Sequence, residues 1–194
     1  MSSGSVSSFA NHFPRTEATP VSTTTGTWQL DAVHSNVGFE VGYLTGTFKG
    51  GFRTIEATLT VGENGARLEG GADVASVDVK DENFAGHLQT PDFFDAERHP
   101  RITFAADGID LSGGNVVANG YLTMKGDTHP VGVTGSIGGP LTDGYGNERL
   151  GLTVSASFDR TAFGINWNAP LPTGDPALSS DITVKADLFF VKAR

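Results

Sequence analysis

From Thr27 onward, apolar and polar residues alternate with a period of two. Successive side chains of a strand point to opposite faces, so this is the pattern of strands with one buried face. Val37, Phe39, Val41 and Tyr43 share one face of a first long strand. Gly50-Gly51 interrupts the pattern between Phe48 and Phe52, which predicts a bulge or sharp bend. Beyond it Ile55, Ala57, Leu59 and Val61 alternate with Glu56, Thr58 and Thr60, so the two runs read as a hairpin. The turn signal Glu63-Asn64-Gly65 leads into a third strand carrying Leu68, Gly70, Ala72 and Val74. Further strands are predicted at Ile102 to Ala106, Val116 to Met124, Pro130 to Ile137, Leu150 to Phe158 and Ile182 to Val191, about eight in all. A short helix fits only at Asp81 to Leu88, where acidic residues suit the positive end of the helix dipole, and it ends near Thr90-Pro91.

Antiparallel strands in that number pack as two sheets or close on themselves, because open edges invite aggregation. A closed eight-stranded interior is filled by side chains or holds one small ligand. The inward-facing residues decide between these. Leu68-Gly70-Ala72-Val74 and Val116-Ala118-Gly120-Leu122 place small residues among large ones on one face. That pattern serves a cavity or close sheet packing equally well.

Composition narrows the chemistry. The chain has 26 glycines among 194 residues, no cysteine, and a formal charge of −9. The charge repels nucleic-acid phosphates and anionic membranes, so nucleic-acid binding and stable membrane insertion are not expected. Without cysteine there is no disulfide, thiolate metal site or cysteine nucleophile. Residues 1–26 are Ser/Thr-rich and lack the apolar run of an export peptide or membrane span, so they read as a disordered tail and the protein as cytoplasmic.

Five histidines raise a metal-site question, but His12 lies in the tail, and His34, His87, His99 and His129 lack ligand spacing. Asp78, Asp81 and Glu82, and likewise Asp143, Asn147 and Glu148, lack the order of a calcium loop and read as solvated or capping groups. His34, just after Asp31, reads as a turn residue satisfying backbone groups. No Gly-x-Ser-x-Gly nucleophile elbow occurs. No catalytic residue, metal or cofactor is therefore expected. Arg160 beside Asp159 reads as an ion pair, with contact to a polar head group as the alternative.

Several ordered motifs resemble the YceI-like family of lipocalin-like barrels: Asp31-Ala32-Val33-His34-Ser35 entering an alternating strand, Gly46-Thr47-Phe48, and Phe93-Phe94-Asp95 followed by Pro100-Arg101-Ile102-Thr103-Phe104. Gly120-Tyr121-Leu122-Thr123 leading to Pro130-Val131, Asp143 to Gly151, and Asp159-Arg160-Thr161-Ala162-Phe163-Gly164-Ile165 complete the set. The chain departs from the family in lacking an export signal and in the residues around Gly42-Tyr43, where a histidine is expected. The resemblance implies an all-β, eight-stranded antiparallel barrel over residues 27–194, with one short helix. It also implies a non-catalytic protein that carries or sequesters a long isoprenoid or fatty-acyl-type lipid, and a homodimer.

The residues expected to line such a cavity are Phe39, Val41, Phe48, Phe52, Phe93, Phe94, Phe104, Leu122, Phe163, Ile165, Trp167, Leu188 and Phe190. Phe93-Phe94 and the Phe163 to Trp167 stretch stand out because they sit in connections, where aromatics close a mouth or grip a ligand. A carbohydrate- or protein-binding β-sandwich with a filled core is the alternative, and a hydrolase a third reading.

Overall fold

The computed structural model describes residues 25–194. The tail expected at residues 1–26 therefore lies almost entirely outside the described residues. The strands are β1 (Gly26–Leu30), β2 (Asn36–Tyr43), β3 (Gly46–Phe52), β4 (Ile55–Gly62), β5 (Gly65–Asp73), β6 (Val77–Asp78), β7 (Arg101–Ile109), β8 (Asn115–Met124), β9 (Asp127–Thr142), β10 (Glu148–Asp159) and β11 (Leu178–Lys192), with one α-helix, α1 (Glu82–Leu88). All pairings are antiparallel.

These segments form eight staves of a closed barrel, because the first three staves are each broken once. A turn at residues 31–35 separates β1 from β2, residues 53–54 separate β3 from β4, and a 3₁₀ turn, Val74–Ser76, separates β5 from β6. Long β11 spans the first break: Phe190 pairs with Leu30 on β1, and Val184 pairs with Phe39 on β2. That double pairing closes the sheet on itself, so the two-sheet sandwich is not formed.

The predicted bulge at Gly50-Gly51 is absent. Both residues pair in regular register with Phe39 and Gly38, and the break comes after Phe52. Glycine is needed there for space: a Cβ at Gly50 would overlap the Phe39 ring and stand 2.8 Å from Val79 Cγ1. The helix begins as expected, with Asp81 accepting a hydrogen bond from the Phe84 amide at 2.9 Å.

One end of the barrel is packed solid by Trp28, Leu59, Ile137, Leu152 and Phe190. The other end gathers Phe39, Val41, Leu88, Phe93, Met124, Val131, Phe163 and Ile165. It is crossed by α1 and the loop leading to β7.

Candidate binding cavity

The packed core stops part-way along the barrel. Above Trp28, Leu59, Leu152 and Phe190, the next inward residues of the same staves, Leu30, Ala57, Val154 and Leu188, line a cavity of ≈ 240 Å³. Its walls are almost wholly apolar. Ala57, Ala72, Ala156 and Ala186 contribute small side chains, which is what leaves the space open.

The two small-residue stripes have different fates. Gly70 and Ala72 border the cavity. At Gly120 the space is taken up instead, since the Phe104 ring folds over it and a Cβ there would stand 2.6 Å from Phe104 Cε2. One stripe serves a void and the other close packing.

Phe39, Val41, Phe48, Phe52, Phe93, Phe94, Phe104, Leu122, Ile165 and Leu188 all line the cavity. Phe163, Trp167 and Phe190 do not. Phe190 is fully buried in the floor. Phe163 lies behind the wall against Phe158 (5.4 Å between ring centroids) and His129 (4.9 Å). Trp167 packs on the outside of the cap, edge-on to His87 (5.0 Å between centroids) and tilted against Phe93 (5.3 Å). A connecting aromatic can brace the residue that faces the cavity as readily as face it, and sequence position does not separate the two. Phe84 and Leu88 also line the cavity, and sequence reasoning missed them. Their i, i+4 spacing on α1 is the signal that could have found them.

Arg160 is 4 % exposed and sits in the wall. The expected ion pair with Asp159 is not formed. Asp159 caps the 3₁₀ turn Arg160–Phe163, accepting from the Thr161 amide at 2.8 Å. Arg160 donates to three backbone carbonyls: Ser179 (2.9 Å), Ile165 (2.8 Å) and Trp167 (2.9 Å). Burial lowers its pKa. The guanidinium thus ties the 160–179 connection together from within.

A polar cluster stands near the opposite end, outside the cavity. His34 Nδ1 lies 2.8 Å from Asp31 Oδ2, and Arg149 donates to Asp31 (2.8 Å) and Asp143 (2.6 Å). The Arg149 contact holds the pKa of both Asp31 and Asp143 below the usual carboxylate range. Asp143 also accepts from the Tyr145 and Asn147 amides, each at 2.9 Å, and so shapes the β9–β10 hairpin. Ser35 Oγ accepts from the Phe189 amide (2.9 Å) and donates to the Asp31 carbonyl (2.8 Å), fixing the break in the first stave against β11. Among the described residues no group of three or more His, Asp and Glu side chains converges as metal ligands would.

The YceI-like domain family matches residues 28–190, nearly the whole barrel. This chain belongs to the YceI-like family. A UPF0312 protein of Staphylococcus epidermidis is 30% identical over 171 residues, covering 84% of this chain and 96% of that protein. A UPF0312 protein of Staphylococcus aureus is 29% identical over 169 residues, covering 83% and 95%. Among solved structures, Burkholderia cenocepacia BcnA shares the fold with a TM-score of 0.71 at 21% identity, covering 82% of this chain and 98% of that one. A polyisoprenoid binding domain from Saccharophagus degradans does so with a TM-score of 0.68 at 15% identity, covering 86% and 98%. The YceI-like motifs fall into two structural groups. The Asp31–Ser35 and Asp143–Gly151 motifs build the polar cluster, whereas Phe93-Phe94 and Asp159–Gly164 build or brace the cavity.

Proposed function

We propose that this YceI-like protein binds the hydrocarbon chain of an isoprenoid or similar amphipathic lipid inside the barrel, and carries or sequesters it without a chemical step. The observation that supports this is the cavity itself, apolar almost throughout and bordered by small residues where large ones would fill it. Transfer of a chain from water into such a space gains about 0.8 kcal/mol per CH₂, so ten buried carbons supply roughly 8 kcal/mol before association costs. The Arg160 guanidinium bonds to carbonyls of its own connection, so the buried part of the ligand is hydrocarbon. The domain from Saccharophagus degradans described as polyisoprenoid binding has the same fold, which agrees with this class of ligand.

Organic extraction of the purified protein followed by mass spectrometry should release a prenyl or acyl lipid in a fixed ratio to protein. A preparation that is reproducibly empty, and that also takes up neither prenyl alcohols nor fatty acids, would refute the reading.

A further inference from the structure

The wall of the cavity is made in two different ways. Around the staves it is held by continuous strand ladders. Residues 81–99 are held otherwise, and they supply Phe84, Leu88, Phe93 and Phe94 to the lining. Their hydrogen bonds close within the segment: Phe94 N to Leu88 O (3.0 Å), Asp95 N to Thr90 O (2.9 Å), Ala96 N to Gln89 O (2.9 Å) and His99 N to Asp95 O (2.8 Å). His87 Nε2 lies 3.0 Å from Asp92 Oδ2, and Arg98 pairs with Asp95, again inside the segment.

Among the described residues a single hydrogen bond joins this segment to the barrel, from Lys125 Nζ to the Pro91 carbonyl at 2.6 Å. The same ammonium donates to the Gly164 carbonyl at 3.0 Å. Lys125 therefore spans the cap and the connection after β10. Its immediate neighbour Met124 lines the cavity, as do Phe93 and Ile165, close in sequence to the two carbonyls. Among the described residues Lys125 makes no ion pair. It sits in the Lys125-Gly126 turn between β8 and β9 at φ 52°, a position where Asn or Gly is the ordinary choice. A strained backbone there carries a side chain whose ammonium joins the cap to the connection after β10.

Among the described residues the cap is otherwise fixed by ring and van der Waals contacts, among them Phe48 on Phe84 (5.0 Å between centroids), Phe52 on Phe94 (5.8 Å), Trp167 on Phe93 (5.3 Å) and on His87 (5.0 Å), with the His99 ring against Gly126. A self-contained segment with one polar tie opens as a unit at a lower free energy than a ladder-held strand.

We propose that residues 81–99 are a movable cap through which ligand enters and leaves the cavity, and that Lys125 is its latch. What passes through the cap rests on the lipid-binding reading above; the latch does not.

The test has two arms, both on the full chain. In the first, amide hydrogen exchange compares the ligand-free protein with Lys125→Met. The amides of residues 85–96 should exchange about tenfold faster in the variant, equivalent to ~1.4 kcal/mol, while those of β9, β10 and β11 are unchanged. Lys125→Arg, which keeps a donor, should restore most of the protection. Unchanged exchange in the cap would overturn the latch. In the second, stopped-flow fluorescence follows uptake and release of dansyl-undecanoic acid. Both rates should rise about tenfold in Lys125→Met, with a much smaller change in Kd. Faster cap exchange with unaltered rates would overturn the cap as the route. If the unaltered protein takes up neither this probe nor a prenyl alcohol and yields no lipid on extraction, the lipid-binding reading fails, and the exchange arm still decides the latch. Should Lys125→Met lose protection throughout the barrel, Lys125→Gly, which also removes the ammonium but suits the positive φ of the turn, is judged by the same criteria.

Discussion

Ala186 shows how much of this protein rests on the absence of side-chain volume. It points inward from β11, pairs with Val37 and Val154, and lines the cavity. A large side chain placed there would project into open space, so the usual overpacking cost of about 1–3 kcal/mol is largely avoided. Ala186→Phe is therefore expected to keep the far-ultraviolet circular dichroism and cooperative unfolding of the parent while weakening dansyl-undecanoic acid binding at least tenfold. Equal binding by the variant would show that the lipid lies elsewhere. Gly120 is the opposite case. Its missing side chain is already replaced by the Phe104 ring, so a methyl group there presses on a filled site. Two residues of the same small type thus have opposite roles, and only the neighbour facing each one distinguishes them.

At the scale of elements, the broken first stave and the β9–β10 hairpin are joined by Arg149, which bonds to Asp31 and Asp143. Both aspartates have pKa values lowered in the folded state, chiefly by that guanidinium. A depressed carboxylate stabilises the fold at pH values above its unfolded pKa, about 4, and that contribution is lost as the pH falls towards the folded value. Thermal unfolding measured from pH 7 down to pH 2 should show stability falling below about pH 4, and Arg149→Met should flatten that acid limb while lowering the plateau. An acid limb of the same steepness in the variant would mean that other carboxylates set it. Elements of the other kind, α1 and the loop after it, are legible in the sequence as a helix with an Asp81 cap. Their position over the cavity is not. The i, i+4 pair Phe84 and Leu88 reveals only that one face of α1 is covered.

For the whole molecule, the cavity is an energetic cost that the ligand-free protein bears. At about 24 cal/mol per Å³, a void of ≈ 240 Å³ left empty costs on the order of 6 kcal/mol, comparable with the net stability of many domains. The closed ladder and the solid floor around Trp28 and Phe190 keep the barrel folded despite it. A ligand that fills the void relieves part of that cost and binds the folded state alone. At a hundred times its Kd, a prenyl or acyl lipid should stabilise the protein by about 2.7 kcal/mol, read as a rise in the unfolding temperature of several degrees that Ala186→Phe does not show. An unfolding temperature that stays put at saturating lipid would argue against interior binding. No helix among the described residues is long and apolar enough to cross a membrane.

The period-two alternation placed most of the strands, because the face a residue takes depends only on its parity along the chain and on the need to bury apolar area; it did not mark β1, the strand that closes the barrel against β11. The Asp81 cap, the Glu63-Asn64 turn and most of the aromatic lining follow from equally local rules. Three features depended on the third dimension. Closure needed β11 to pair with both halves of the first stave, a contact between opposite ends of the chain. The depth of the void needed the residue across from each small side chain, which leaves Ala72 on the cavity wall and Gly120 under a phenyl ring. Whether an aromatic in a connection faces the cavity, like Phe93, or braces its wall, like Phe163 and Trp167, is set by what lies behind it, and linear order carries no record of that.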